Sequence, residues 1–513
     1  MFFSIGRSSI GSLTALTARR FPTRRWFSLP LVQSRIFSST PNGSKPPPLA
    51  TSSTIDLEPG LIFSGPILQQ ISPTLHVNYK PVENEPYWQK IKQWENVSEQ
   101  QFLSYSWQAS IASEVSKTVQ GEAKLYAFLK DVLPDIIPAA SGYEQIRTRD
   151  AFIQDVMEGI KEAPMSIRLT PQILSVINWN RPLQDPIRRQ FIPMKSTFLP
   201  DHPMLSMDSL HETKDSPVPG LVHRYPDKVL FLATSVCPLY CRFCTRSYSV
   251  GGNTDSVTKR SFKPILRRWE AMLEYIANTE TVTDVVISGG DSYYLSPEQI
   301  RLIGERLLSI DHIKRLRFAS KGLAVSPSRI LDPTDTWTDE LIRLSNLGRR
   351  MGKAVALHTH FNHPNEITWV TRKAAQRLFE NGVTVRNQSV LLKGVNDDVC
   401  TMKGLIRALA DNNIQPYYVY QTDMVKGVED LRTPLQTILD LECQIRGSIA
   451  GFMTPQFVVD LPGGGGKRLA ASYETYDRQT GISTFIAPAV TGRGKDNKVY
   501  EYYDPLPPVK HFP

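Results

Sequence analysis

The chain has 513 residues, of which 41% are hydrophobic and 21% are charged, and its formal net charge is +9. This is the composition of an ordinary globular protein. No apolar run approaches the length of about 18 residues that a membrane-spanning helix needs, which excludes such a helix and predicts no membrane partner.

Residues 1–55 carry most of the surplus positive charge. They contain no acid and seven basic residues: Arg7, Arg19, Arg20, Arg24, Arg25, Arg35 and Lys45. The remainder is close to neutral, so composition gives no support for a surface that binds nucleic acid. An acid-free segment rich in Arg and Ser is typical of a mitochondrial transit peptide. We therefore predict a transit peptide and linker over 1–55 and a location in the mitochondrial matrix; a disordered basic tail is the alternative.

Residues 56–220 form a predicted helical N-terminal region, because apolar residues there often recur at helical spacing. Over 221–435, short apolar runs alternate with amphipathic stretches. Strands are predicted at 229–233, 284–288, 316–320, 354–358, 383–392 and 416–421, and helices at 267–277, 297–309, 339–348, 372–381 and 400–411. About six strand–helix units predict an α/β fold, a partial (βα)6 barrel with its chemistry at the C-terminal ends of the strands. A C-terminal segment, 436–513, begins beyond this core and contains a further strand at 457–460.

Three of the five cysteines follow the first predicted strand, as Cys237-Pro-Leu-Tyr-Cys241-Arg-Phe-Cys244. A structural zinc site needs four ligands, usually in two separated pairs. A lone CxxxCxxC suits an iron–sulfur cluster that leaves one iron open for a small molecule. This spacing is the signature of the radical S-adenosylmethionine (SAM) superfamily. A zinc site completed by a histidine such as His223 is the alternative.

The motif Ser288-Gly289-Gly290-Asp291 follows the second predicted strand. Two glycines let the backbone approach a ligand closely, and the acid can accept a hydrogen bond from an ammonium. In the superfamily the matching segment holds the methionyl amine of SAM, although a Gly-Gly-Asp turn is by itself common.

A glycine run ends in a lysine at Gly463-Gly464-Gly465-Gly466-Lys467. A phosphate-binding P-loop would need a glycine at Leu461 and a Ser or Thr at Arg468, which excludes that motif. A flexible run of this kind can present the amine of Lys467 to an aldehyde cofactor such as pyridoxal phosphate. A mobile surface loop with a solvated lysine is the alternative.

From about residue 87 to 473 the chain resembles the lysine 2,3-aminomutase family. The shared segments are 185–190, 215–231, the cysteine motif with Thr245 and Arg246, 287–291, 358–364, 387–392, 416–423 and 457–467. The resemblance implies a radical SAM barrel and an isomerase that interconverts L-lysine and L-β-lysine by moving the amino group between carbons 2 and 3. It also implies three cofactors: a [4Fe–4S] cluster, SAM and pyridoxal phosphate.

The resemblance also implies residue roles. Cys237, Cys241 and Cys244 would ligate the cluster, and Lys467 would bind pyridoxal phosphate as the catalytic lysine. Arg224 and Tyr225 would hold that cofactor, and the segment Ser288–Asp291 with His360 and Gln388 would line the SAM pocket. Arg246 would bind the substrate carboxylate, and Asp423 and Asp460 would bind the distal ammonium of lysine.

Two further hypotheses remain beside this one. The chain could be an aminomutase for another amino acid or a lysine derivative, or a non-catalytic protein that binds an iron–sulfur cluster and pyridoxal phosphate. The expected partners are a small amino acid, an electron donor such as a ferredoxin or a flavodoxin-type protein, and a second copy of the chain. Zinc at His358, His360 and His363 is disfavoured because no carboxylate completes the pattern.

Overall fold

The computed structural model describes residues 85–109, 115–488, 490, 495 and 497–506. All of them belong to the second of two units into which the chain divides, Asn78–Pro513. The predicted transit peptide and linker, and the start of the predicted helical region, lie outside the described residues.

The N-terminal part of the described chain is helical, as predicted. Its helices are α1 (Glu99–Phe102), α2 (Tyr105–Gln108), α3 (Glu122–Val132), α4 (Arg149–Glu162), α5 (Pro171–Val176) and α6 (Pro186–Phe191). Asp185 caps α6 by accepting from two main-chain N–H groups, and Pro186 has the fixed backbone angle that suits a first helical residue. Leu129 of α3 and Val156 of α4 are fully buried, so these helices turn their apolar faces to the core. A short antiparallel ladder of β1 (Val119–Gln120) and β2 (Arg168–Leu169) was not predicted.

A nine-stranded sheet follows. Its strands are β3 (Leu221–Tyr225), β4 (Lys228–Thr234), β5 (Asp284–Gly289), β6 (Arg315–Ala319), β7 (Ala354–Thr359), β8 (Thr384–Val390), β9 (Gln415–Tyr420), β10 (Gln456–Leu461) and β11 (Gly466–Leu469). They lie side by side in chain order. Strands β4 to β10 are parallel, whereas β3 and β11 add one antiparallel strand at each edge.

Helices connect the parallel strands. They are α7 (Leu266–Ala277), α8 (Pro297–Leu308), α9 (Gly322–Val325), α10 (Ser328–Leu331), α11 (Trp337–Arg350), α12 (Trp369–Glu380), α13 (Val399–Asp411) and α14 (Leu435–Ile445). Each of β4 to β9 is followed by at least one helix, which confirms the partial (βα)6 barrel. Its loops at the C-terminal ends of the strands carry the predicted motifs.

The two edge strands of the sheet approach each other. The hydroxyl of Tyr225, at the end of β3, accepts a hydrogen bond from the main-chain N–H of Lys467 in β11 at 2.9 Å. The sheet therefore curls until its edges nearly meet, which brings the first and last strands of the core to one site.

A second sheet caps this site. Strands β12 (Thr475–Asp477), β13 (Ile482–Ile486) and β14 (Val499–Tyr503) pair in antiparallel fashion. The buried hydroxyl of Tyr502 donates to the carbonyl of Thr422 at 2.9 Å and accepts from Gln421 at 3.1 Å. These hydrogen bonds join the small sheet, which we call the capping sheet (β12 to β14), to the loop that follows β9. The capping sheet was not predicted from the sequence.

Within the described ranges, no helix combines the length and the apolar character needed to cross a bilayer.

Candidate active site

The three cysteines lie in the loop that follows β4, which we call the cysteine loop (residues 235–250). The N–H of Tyr240 donates to the carbonyl of Arg168 at 3.1 Å, and the N–H of Arg242 donates to the carbonyl of Gln190 at 3.0 Å. The buried guanidinium of Arg242 also donates two hydrogen bonds, of 3.0 and 3.1 Å, to the carboxylate of Asp430. The loop is therefore fixed both by the helical N-terminal region and by the segment between β9 and α14.

The chemistry of Cys237, Cys241 and Cys244 fits an iron–sulfur cluster. All three are free thiols. Burial raises the pKa of each, that of Cys241 to about 12, and the charge of a neighbouring thiolate raises the pKa of Cys237 and Cys241 further. Thiols with such pKa values lose their protons when they bind metal.

The zinc alternative needs four ligands around one ion. Among the described residues, no three His, Cys, Asp or Glu side chains converge on a position for one metal ion. His223, which was considered as a fourth zinc ligand, has its Nδ1 at 2.9 Å from the hydroxyl of Tyr275.

Gly289 and Gly290 join the predicted SAM segment to the cysteine loop. The N–H of Gly290 donates to the carbonyl of Thr234 at 2.6 Å, and the next N–H donates to the carbonyl of Val236 at 3.0 Å. A Cβ atom at Gly290 would lie only 2.5 Å from the carbonyl oxygen of Val236, and Gly289 has a φ of +112°. Both positions therefore require glycine. Ser288, just before them, is buried in β5.

Asp291 supports the loops around it. One carboxylate oxygen accepts from the N–H of Tyr293 and the other accepts from the N–H of Lys321, both at 2.8 Å. Burial raises the pKa of Asp291 although these hydrogen bonds lower it. Its oxygens thus bind main-chain N–H groups that follow β5 and β6, and its role toward the amine of SAM stays a prediction.

His360 and Gln388 lie near the ends of β7 and β8 but bind different partners. The Nε2 of His360 is 3.0 Å from Asn362, and its ring lies 5.6 Å from the ring of Phe243 in the cysteine loop. The amide nitrogen of Gln388 is 3.0 Å from the Nδ1 of His358. Burial lowers the pKa of His358 to about 3 and that of His360 well below its usual value, so both rings are neutral.

Lys467 and Asp460 face each other across the β10–β11 hairpin. They are register partners, and the Lys467 ammonium donates to a carboxylate oxygen of Asp460 at 2.6 Å. Burial disfavours the ammonium, but the charge of Asp460 raises the pKa of Lys467 well above its usual value. The Lys467 ammonium also lies 5.6 Å from the ring of Tyr420, whose hydroxyl donates to Gln388 at 3.2 Å.

Arg224 lies beside this pair. Its Nε donates to Asp215 at 2.8 Å, and one of its terminal nitrogens lies 4.0 Å from Asp460. Burial disfavours the charged guanidinium, but Asp460 and Asp215 raise the pKa of Arg224. Asp215 binds a second cation, Lys495, at 2.6 and 2.8 Å.

Arg246, predicted to bind the substrate carboxylate, is held by Glu212. Two parallel hydrogen bonds of 2.9 and 2.7 Å join the guanidinium to the buried Glu212 carboxylate, and Tyr248 donates to the same carboxylate at 3.0 Å. Burial disfavours the charged form of Arg246, but Glu212 raises its pKa. One edge of the guanidinium is therefore fixed in a bidentate pair.

Asp423 links the cysteine loop to Asp460. Its carboxylate accepts a short hydrogen bond from the hydroxyl of Thr245, the residue after Cys244. Burial and the negative charge of Asp460 raise the pKa of Asp423 to about 7. The two carboxylates are thus close enough for one to make ionisation of the other unfavourable.

The structure brings most of the predicted residues together at one end of the barrel. The cofactor-lysine group comprises Arg224, Tyr225, Asp460, Lys467 and, through its charge, Asp423. The cysteine loop adjoins this group through Thr245, and it adjoins the predicted SAM segment through the main-chain hydrogen bond from Asp291 to Val236.

The residues present also fit pyridoxal phosphate. Lys467 supplies the amine, and an arginine and a second lysine supply positive charge beside the glycine run. Asp460 Oδ1 is buried and has no hydrogen-bond partner within the described part of the chain, which marks a place for a further donor.

Sequence reasoning missed Glu212 and Lys495. They pair with Arg246 and Asp215 over separations of 34 and 280 residues. No spacing pattern signals a pair as distant as the second. Glu212 lies just before the segment 215–231 that resembles the family, and this proximity is the only signal that could have found it.

No family model matches the chain. The L-lysine 2,3-aminomutase of Clostridium subterminale is 41% identical over 326 residues, which cover 63% of this chain and 74% of that protein. The glutamate 2,3-aminomutase of Clostridioides difficile is 30% identical over 60% of this chain and 69% of its own length. Among solved structures, Streptococcus suis SuiB bound to S-adenosylmethionine aligns with a TM-score of 0.34 and 15% identity, over 47% of this chain and 51% of that one.

The identity to the clostridial lysine enzyme extends over nearly three quarters of that protein. The chain therefore belongs to the lysine 2,3-aminomutase family of isomerases.

Proposed function

We propose that this chain interconverts L-lysine and L-β-lysine by 2,3-migration of the amino group. The observation that carries the proposal is the pair of carboxylates, Asp423 and Asp460, beside the ammonium of Lys467. A site that already stabilises one lysine ammonium has the chemistry to recognise the distal ammonium of a lysine substrate.

When bound, the cluster and SAM supply a radical that abstracts hydrogen, and pyridoxal phosphate supplies an aldehyde for the amino group. Cys237, Cys241 and Cys244 are the residues that would hold the cluster, and Lys467 would hold the aldehyde cofactor. The remaining residues position the substrate and exclude water, which is the usual contribution of the protein in cofactor enzymes.

Electrostatics favour lysine over glutamate in this pocket. The negative charge of Asp460 already makes ionisation of Asp423 unfavourable, and a glutamate side chain would add a third carboxylate. The ammonium of lysine would instead stabilise both ionised carboxylates. At the other end of the substrate, Arg246 offers a guanidinium whose orientation Glu212 fixes.

An aminomutase for another amino acid or a lysine derivative is the second candidate. The relatives include a glutamate 2,3-aminomutase, so similar proteins act on more than one amino acid. The Oδ1 of Asp460, which accepts no hydrogen bond within the described part of the chain, favours a cationic group in any such substrate.

Three features of the cellular context belong to the same proposal. The acid-free leader, 1–55, directs the chain to the mitochondrial matrix. An iron–sulfur or flavin protein of the ferredoxin or flavodoxin type supplies the electron, and the chain assembles as a homo-oligomer. Expressing 1–55 fused to a fluorescent protein tests the first feature, and sedimentation of the purified chain tests the last.

The decisive experiment uses the full-length chain, purified without oxygen and reconstituted with iron, sulfide and pyridoxal phosphate. Dithionite, SAM and L-lysine are then added, and β-lysine is measured by mass spectrometry. We expect β-lysine from the wild type and from a Cys443→Ala control, whose cysteine is exposed, but none from Cys241→Ala or Lys467→Ala.

The alternative results separate the hypotheses. Formation of 5′-deoxyadenosine without β-lysine would indicate that the substrate is another amino acid or a lysine derivative. A full cluster that does not cleave SAM would favour a non-catalytic binding protein.

A further inference from the structure

Lys495 reaches the cofactor-lysine group from the connection between β13 and β14. Its side chain is only 13% exposed, although its described neighbours Asn497 and Lys498 are exposed. The ammonium donates to both carboxylate oxygens of Asp215, at 2.6 and 2.8 Å, and to the carbonyl of Gly464 at 3.3 Å. The capping sheet therefore delivers a buried cation to the glycine run.

Lys495 places a second cation on the carboxylate of Asp215, beside Arg224. Asp215 is shared by Lys495 and Arg224, whose side chain is 7% exposed, and Asp460 is the partner of Lys467. The Asp215 carboxylate thus balances only one of the two cations that it binds. Hydrogen bonds from Arg224 and Lys495 lower the pKa of Asp215 although burial raises it. The negative charge of Asp215 is therefore already paired with these two cations. Buried charge of one sign needs a counter-ion, and an anion placed here would supply it.

The glycine run lies directly against these cations. Gly464 and Gly466 have φ values of +83° and +84°, with Gly465 at −69° between them. Alternation of this kind turns successive N–H groups toward one side and is a recurrent anion-binding conformation. A Cβ atom at Gly464 would lie 3.1 Å from Asp215 and 3.2 Å from the Lys495 ammonium, so the backbone and the cations share one small space.

We propose that Lys495 is a ligand for the phosphate of pyridoxal phosphate. The inference rests on the proposed function, because it assumes that Lys467 holds the aldehyde end of that cofactor. Asp215 keeps Lys495 and Arg224 in place until a phosphate dianion binds between them and the glycine run. The phosphate then balances the surplus positive charge and accepts hydrogen bonds from both cations.

The test compares two cofactors that differ only in the phosphate. Affinities for pyridoxal phosphate and for pyridoxal are measured on the full-length chain from the visible absorption of the lysine-bound cofactor. The variants are Lys495→Gln and, as a matched control, Lys498→Gln, which removes an exposed lysine three residues away. Because Lys495→Gln removes one hydrogen bond from a charged donor, it should weaken the affinity for pyridoxal phosphate by about tenfold to a hundredfold.

The inference requires that Lys495→Gln bind pyridoxal with nearly wild-type affinity. It also requires that Lys498→Gln bind both cofactors with nearly wild-type affinity. Equal weakening for both cofactors would assign Lys495 a purely structural role, and no weakening would remove it from the site; either result overturns the inference. If the wild type binds no pyridoxal phosphate at Lys467, the proposed function itself fails, which is a separate outcome.

A second measurement needs no variant. Acylation of lysines in the wild type, mapped by mass spectrometry, should show that pyridoxal phosphate protects Lys495 while pyridoxal does not. Lys498 serves as the internal control, and equal labelling of Lys495 with both cofactors would contradict the inference.

Discussion

Replacing Asp423 by asparagine should stabilise the cofactor-free protein, and should do so more at pH 8 than at pH 5. Burial and the charge of Asp460 raise the pKa of Asp423 from its ordinary 3.8 to about 7. Between these values the folded protein keeps a proton that the unfolded chain has released. The free energy of unfolding of the wild type therefore falls as pH rises through this window.

The expected size follows from the pKa values. Each unit between them corresponds to 1.36 kcal/mol, which gives up to about 2.7 kcal/mol between pH 5 and pH 7. Because Asp423 keeps some contact with solvent, we expect about 1–2 kcal/mol. Asparagine can still accept the hydrogen bond from Thr245 but does not titrate, so the Asp423→Asn variant lacks this part of the pH dependence.

Urea unfolding of the cofactor-free protein at pH 5 and pH 8 measures the effect, provided that wild type and variant have equal m-values. Asp255→Asn, which removes an exposed carboxylate, is the control and should track the wild type. If the stability of Asp423→Asn changed with pH as steeply as that of the wild type, Asp423 would not be a buried acid protonated near pH 6, and the electrostatic argument for a cationic substrate would lose its basis.

Two further substitutions probe the loops. Gly290→Ala places a methyl group against the carbonyl of Val236, so it should cost about 1–3 kcal/mol of stability and lower the iron and sulfide content. Gly252→Ala, whose Cβ meets nothing closer than 4.0 Å, should retain the stability and the iron and sulfide content of the wild type. Equal iron content in the two variants would refute the steric argument. Glu212→Gln removes a charged partner of Arg246 and should raise the KM for L-lysine about tenfold with less effect on kcat, so a fall in kcat at unchanged KM would contradict a role in orienting the substrate.

The parallel core could be predicted because its signals are local. Each strand is a short apolar run, and each helix has a periodic apolar face with recognisable ends. The helix predicted at 297–309 is observed at Pro297–Leu308, where Ser296 and Gln299 form a capping box. Predictions of this kind depend on residues within one turn or one strand of each other.

The edges of the fold could not be predicted in this way. Strand β11 begins at the last glycine of the run, Gly466, which gives no strand signal. The strand forms because the chain reverses after Gly463 and pairs with β10. The capping sheet is held to the barrel by tertiary contacts such as that between Tyr502 and Thr422. Propensity is weak at such positions, and tertiary contacts decide the structure.

The site shows the same division. The thiols, Lys467 and the glycines were found because their spacing is part of their chemistry. Their partners were not, since Glu212 and Lys495 act through contacts that the fold creates between distant segments. Asp291 was predicted from its neighbours in sequence to line the SAM pocket, whereas its contact with the N–H of Lys321, 30 residues further along the chain, could not be predicted.

The hairpin pair of Lys467 and Asp460 has a consequence for the order of assembly. A lysine side chain of the enzyme itself contacts the carboxylate that we assign to the lysine substrate, with the two groups 2.6 Å apart. Lys467 thus makes the same contact that the distal ammonium of a lysine substrate would make. An amine that is bound to an aldehyde is no longer a free ammonium, so binding of the cofactor to Lys467 would release the Asp460 carboxylate for the incoming amino acid. Free lysine should bind weakly before that event and tightly after it.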